Sequence, residues 1–116
     1  MAVAIAVGID LIEIERVERA LERRPRLAER LFTPGELAYA RGRARPGRHL
    51  AARFAAKEAV IKALGTGVPL REIEVVAGEP PRLELHGRAA EVADGAEIAI
   101  SLTHSRENAA AVAIAG

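Results

Sequence analysis

The sequence predicts an α+β fold, with helices mainly in the first half and a mostly antiparallel sheet, on two observations. Helix-start signals and apolar residues at helical spacing occupy the chain up to Gly65, whereas short runs of Val, Ile and Leu separated by turn residues fill the stretch beyond Gly67. Such segregation argues against a wound α/β sheet, in which strands and helices alternate. At 116 residues the chain fits one domain, residues 1–116, and a domain of this size buries roughly two thirds of the surface its unfolded chain exposes.

The chain opens with a strand. Val3, Ile5, Val7 and Ile9 alternate with Ala and Gly, so both faces are apolar or small and the strand reads as buried. Gly8 lets another backbone come close. Asp10 ends this strand, and the helix of IEIERVERALERR follows, with Ile14, Val17 and Leu21 at helical spacing and Pro25 as its stop. In LFTPGELAYARGR, Thr33 is an N-cap, Pro34 the first helical residue and Glu36 the third, which completes a capping box. RARPGR breaks the chain before HLAARFAAKEAVIKALG, the central and longest helix, closed by Gly65. Strands EIEVV and RLELH flank a GEPP turn, RAAEVA forms a helical turn, and EIAISLTH with ENAAAVAIA makes a hairpin.

Composition excludes several functions. Aromatic residues make up 3% of the chain, too few for the stacking platforms of single-stranded nucleic-acid binders. The 17 basic residues are balanced by 16 acidic ones, so no general basic footprint is available to nucleic acid. With no cysteine there is no disulfide, thiolate ligand or cysteine nucleophile, and the chain is compatible with a reducing, cytoplasmic compartment. MAVAIAVGID lacks a basic leader and is apolar for only nine residues, so it reads as neither signal peptide nor membrane span. The cations are nearly all arginine, and the only two lysines, Lys57 and Lys62, share the central helix. Keeping compact ammonium groups at two neighbouring places points to local chemistry there.

On the central helix Phe54, Glu58 and Ile61 share a face, and Lys62 stands four residues after Glu58. An ordinary helix ion pair explains Glu58 and Lys62 at about 0.3–0.5 kcal/mol. With Asp10 as a second carboxylate the same residues offer an oxygen site for Mg²⁺, completed by substrate phosphates and water; Asp10 also serves as an N-cap candidate. Arg53, Lys57 and Lys62 are three cations on this helix, and Gly65, Thr66 and Gly67 follow as a small loop able to turn backbone N–H groups to phosphate. Thr103 and His104 in SLTHS suit hydrogen bonding to phosphate or ribose. The three histidines have no ligand-like spacing, and no G-x-S-x-G elbow accompanies Ser101 or Ser105.

Four segments taken together, GIDLIEIER, FTPGE, RFAAKEAVIKALGTG and SLTH, resemble in order and spacing the short phosphopantetheinyl transferases of the holo-[acyl-carrier-protein] synthase family. The resemblance covers nearly the whole chain. It implies that Asp10 and Glu58 bind Mg²⁺, that Lys62 lies on the pyrophosphate of coenzyme A, and that His104 with nearby basic groups meets the nucleotide end. It further implies a homotrimer with active sites at subunit boundaries, and an acyl carrier protein received by the helix carrying Arg16. Arg16, Arg19 and Arg23 do share a face of that helix, although Glu15, Glu18 and Glu22 could pair with them. The implied reaction is attack of a carrier serine on the β-phosphate of coenzyme A, with Glu58 or a water on the metal taking the proton and Lys62 offsetting charge on the leaving group. No nucleic-acid or membrane partner is implied. A noncatalytic coenzyme A or nucleotide-binding module is the alternative, and it would not need both carboxylates.

Overall fold

The computed structural model describes residues 5–116; Val3 and Ala4 of the expected first strand lie outside the described residues. Strands β1 (Ala6–Glu13), β4 (Ile98–His104) and β5 (Asn108–Ala115) form an antiparallel sheet in the order β1-β5-β4. A separate antiparallel hairpin joins β2 (Ile73–Val76) to β3 (Arg82–Leu85). The helices are α1 (Ile14–Arg23), α2 (Leu27–Leu31), α3 (Pro34–Arg41), α4 (Pro46–Leu64) and the short α5 (Gly87–Ala93), with a 3-10 turn at Leu70–Glu72. Four of the five helices precede Gly65 and four of the five strands follow it, as the sequence pattern predicts.

Helix α4 lies on one face of the three-stranded sheet. That face is built from small residues: Gly8 on β1, and Ala109, Ala111, Ala113 and Ala115 on β5, all buried. Small side chains let the helix backbone descend onto the strands, and at Gly8 the fit is absolute. A methyl group there would lie 1.8 Å from the carbonyl oxygen of Ala59. Ala55, Ala56, Ala59 and Val60 complete this core together with Ile73 and Val75 from the hairpin. The helix stops at Gly65, whose left-handed φ of 79° is the conformation a glycine adopts most cheaply.

Two expectations need correction. Strand β1 does not end at Asp10 but runs to Glu13, with Asp10 paired to Ala111 in mid-strand. The alternation continues through Leu11 and Ile12, and the first helix begins only at Ile14, so an N-cap role for Asp10 is ruled out. Nor is the strand buried on both faces. Ile5, Val7, Ile9, Leu11 and Ile114 are all exposed, Ile9 at 67%, because α4 covers only the face carrying Gly8, Asp10 and Ile12.

Candidate active site

Asp10 projects from the α4-facing side of β1, since side chains alternate along a strand and its neighbours Ile9 and Leu11 point outward. This aims it at the second half of α4, where Glu58 and Lys62 stand one turn apart. Lys62 Nζ donates to the backbone oxygen of Ile9 at 2.8 Å and lies 3.4 Å from Asp10 Oδ1. Asp10 and Glu58 line one cavity of about 430 Å³, walled by Val17, Leu21, Leu31 and Phe54 and rimmed by Arg16. Burial pushes the Glu58 carboxyl above its ordinary range; the negative charge of Asp10 adds to the shift and Lys62 opposes it. Two carboxylates thus share the end of an apolar groove, with the Lys62 ammonium held beside Asp10.

Lys57 does not join them. Its side chain is fully buried, and Nζ donates to Glu36 Oε1 at 2.6 Å, to the Leu31 carbonyl at 2.8 Å and to the Leu70 carbonyl at 3.0 Å. All three donor positions of the ammonium are occupied. Burial pushes its pKa down while Glu36 holds it up. The expectation that Lys57 touches substrate is therefore corrected: it is a strut joining α2, α3, α4 and the 3-10 turn. Glu36 in turn is more than a capping residue. Besides closing the box with Thr33, it accepts from the backbone N–H of Val75 at 2.8 Å, tying α3 to the hairpin.

Arg53 and His104 belong to a second cluster. At 100° per residue, His49 and Arg53 stand roughly 140–180° around α4 from Glu58 and Lys62, on the flank toward strand β4. There the His49 and His104 rings meet edge to face at 5.8 Å, and the Arg53 guanidinium lies over the Tyr39 ring at 4.0 Å. Thr103 points to the opposite face of the sheet from His104. Gly65 and Gly67 have no atom within 4 Å of a Cβ placed on them, so the Gly65, Thr66, Gly67 loop after α4 is open for approach. Arg16 is exposed on α1 and, unlike Arg19, which pairs with Glu15, has no ion-pair partner among the described residues.

The sequence model of the 4'-phosphopantetheinyl transferase superfamily matches residues 6–115. The holo-[acyl-carrier-protein] synthase of Moorella thermoacetica is 52% identical over 115 residues, covering 92% of this chain and 90% of that protein. The chain belongs to the holo-[acyl-carrier-protein] synthase family. Solved structures of this family superpose on it nearly end to end. The acyl carrier protein synthase of Mycobacterium tuberculosis matches with a TM-score of 0.82 at 41% identity, covering 97% of this chain and 98% of the other. The Chronobacterium ammoniagenes enzyme in complex with coenzyme A gives 0.84 at 34% identity, with 97% of each chain covered.

Among the described residues of this synthase, Glu74, Glu84 and His86 also bring ligating atoms within 4.8 Å of one another. They sit on the β2–β3 hairpin, where Thr33 and His86 already hydrogen-bond Glu74. Among the described residues no helix is long and apolar enough to cross a membrane. Sequence reasoning missed Tyr39 and His49. The signal was available in the FTPGELAYA segment, which holds the chain's only tyrosine, but nothing in the spacing of Tyr39 and Arg53 shows that they meet.

Proposed function

We propose that Asp10, Glu58 and Lys62 form the reaction centre at which this enzyme transfers 4'-phosphopantetheine from coenzyme A to a serine of apo acyl carrier protein. The observation that carries this reading is the pair of carboxylates at the end of one groove with the Lys62 ammonium 3.4 Å from Asp10. Asp10 and Glu58 suit Mg²⁺: they are hard oxygen donors on an open cavity, and the ion ordinarily takes one or two carboxylates plus phosphate oxygens. Bound there, Mg²⁺ supplies Lewis-acid stabilisation of charge on the diphosphate.

The chain's own residues do the rest. A Glu58 carboxylate oxygen, lining the groove beside Asp10, accepts the proton of the carrier serine. The serine oxygen forms its bond to the β-phosphorus as the bond from that phosphorus to the bridging oxygen breaks. Adenosine 3',5'-bisphosphate leaves with the electron pair. Lys62, with its side chain half exposed and held by Ile9 and Asp10, delivers positive charge to the leaving phosphate. Arg53, His104 and the Gly65–Thr66 loop serve the nucleotide end of coenzyme A, and Arg16 on the cavity rim receives the acidic carrier.

The two clusters lie on opposite flanks of α4, an arrangement that suits a coenzyme A running between two copies of the chain. The exposed apolar stripe of Val7, Ile9, Leu11 and Ile114 gives those copies a surface to bury, and exposed patches of this kind mark interaction sites. We assign the assembly as a homotrimer with sites at subunit boundaries, each copy being one domain of residues 1–116. The cysteine-free chain is assigned to the cytoplasm.

Incubation of the purified protein with apo carrier, coenzyme A and Mg²⁺, followed by intact-mass measurement, tests the proposal. Phosphopantetheine on the carrier serine, with release of adenosine 3',5'-bisphosphate in equal amount, is the expected result. Binding of coenzyme A without either product would leave only a noncatalytic module.

A further inference from the structure

Tyr39, on the last turn of α3, lies at the centre of the cationic cluster on the β4 flank of α4. The Arg53 guanidinium carbon is 4.0 Å from its ring centroid and that of Arg43 is 4.4 Å. His49 packs edge to face on the same ring at 5.7 Å, and His104 packs on His49. Arg53 is only 6% exposed, and its Nε has no hydrogen-bond partner among the described residues. Neither Arg43 nor Arg53 has a carboxylate within ion-pair distance among the described residues. Two guanidinium groups therefore share one site with no carboxylate paired to either among the described residues, Glu36 acting on Arg53 only through its more distant charge.

Holding them is the task left to the ring. The negative π-face of a tyrosine attracts guanidinium without neutralising it. A carboxylate in the same place would fix the arginines equally well but would occupy their donors and repel an incoming anion. An aromatic holder keeps the positive charge of both guanidinium groups available to a phosphate. Burial of His49 among Arg48, His104, Arg53 and Arg43 lowers its pKa, in keeping with a cluster already dense in positive charge.

We propose that Tyr39 is a positioning residue that orders Arg43 and Arg53 for the ribose-bound phosphate of coenzyme A, and so sets the preference of the enzyme for coenzyme A over dephospho-coenzyme A. The inference rests on the assignment of this flank to the nucleotide end of the substrate. It concerns recognition only: Tyr39 touches neither the diphosphate nor the serine.

The test compares steady-state kinetics on coenzyme A and dephospho-coenzyme A for the wild type, Tyr39→Phe and Tyr39→Leu. Leucine fills much of the space without a π-face. Tyr39→Leu should raise KM for coenzyme A about tenfold, with kcat within about twofold and KM for dephospho-coenzyme A changed by less than about twofold. Tyr39→Phe, which keeps the ring, should retain most of the wild-type preference. A purely packing role would lower the melting temperature and weaken both substrates alike, which overturns the proposal. Equal discrimination by Tyr39→Leu and a discriminating wild type would overturn the role of Tyr39 alone. A wild type that transfers from both substrates equally well would overturn the placement of the phosphate at this cluster, and the proposal with it.

Discussion

Lys57 Nζ and Glu36 Oε1 meet at 2.6 Å with neither side chain reaching solvent. An ion pair this deep is costly to break from one side, because the remaining charge stays buried without a partner. Lys57→Met should therefore lower stability by about 3–5 kcal/mol, measured by urea denaturation. KM for coenzyme A in the fraction that folds should be unchanged. Retained stability with a raised KM would restore Lys57 to the substrate site.

Glu74 supplies a pH dependence of a different kind. The hydroxyl of Thr33, donating to Glu74 Oε2 at 2.7 Å, holds its carboxyl below the usual range, helped by His86 and opposed by burial. A depressed folded-state pKa means that the unfolded chain binds the proton more readily, so this contribution is fully present above the ordinary carboxylate pKa and is lost as pH falls through the folded value. Thermal melts from neutral pH down into the acid range should show a steeper loss for the wild type than for Glu74→Gln. Parallel curves would contradict the shift.

Much of this architecture is legible in the sequence because it rests on local rules. The Thr33 and Glu36 capping box, the Gly65 stop and the close approach at Gly8 follow from residue type and spacing, and the structure contains all three. The end of β1 is not legible in the same way, since Leu11 and Ile12 fit an extending strand as well as a starting helix. Lys57 shows the harder limit. Its lone-lysine signal is real, yet its three acceptors come from α2, α3 and the 3-10 turn, and no pattern along one helix reveals convergence across four segments. Glu58 and Lys62 are readable as neighbours because they sit one turn apart on α4, whereas the sequence joins Asp10 to them as a residue at a strand end; it lies in mid-strand instead, and reaches Lys62 because it shares the α4-facing side of β1 with Gly8.

Arg16 has no ion-pair partner among the described residues and lines the rim of the groove, where the proposed reading has it meet the acidic carrier. Arg16→Glu should raise KM for the carrier with little change in KM for coenzyme A, because opposite charges steer encounter and fix register. Added salt should weaken carrier use by the wild type more steeply than by the variant. An unchanged carrier KM with a lowered melting temperature would make Arg16 a structural residue.

The apolar stripe on the outer sheet face can be tested apart from the chemistry. Ile9→Asp puts a charge at a position already open in the single chain, so folding should survive while the assembly falls to monomers in light scattering. Activity should be lost even though Asp10, Glu58 and Lys62 are intact. Mixed assemblies of two impaired variants, Asp10→Asn and Arg53→Ala, assayed at low coenzyme A concentration, should recover part of the wild-type rate, since each lends the other its sound flank. A fully active Ile9→Asp monomer would place both clusters around a substrate held by one chain.

Whether the Asp10 and Glu58 carboxylates carry the transfer is decided by the rate of carrier loading, followed by intact mass, for the wild type, Asp10→Asn and Glu58→Gln across Mg²⁺ concentrations. Both substitutions keep side-chain shape and remove charge from the metal site. The predicted result is Mg²⁺-dependent loading by the wild type, a loss of at least about a hundredfold in each folded variant, and only partial recovery at high Mg²⁺. Wild-type loading rates in both variants, or undiminished loading by the wild type after chelation of Mg²⁺, would contradict it.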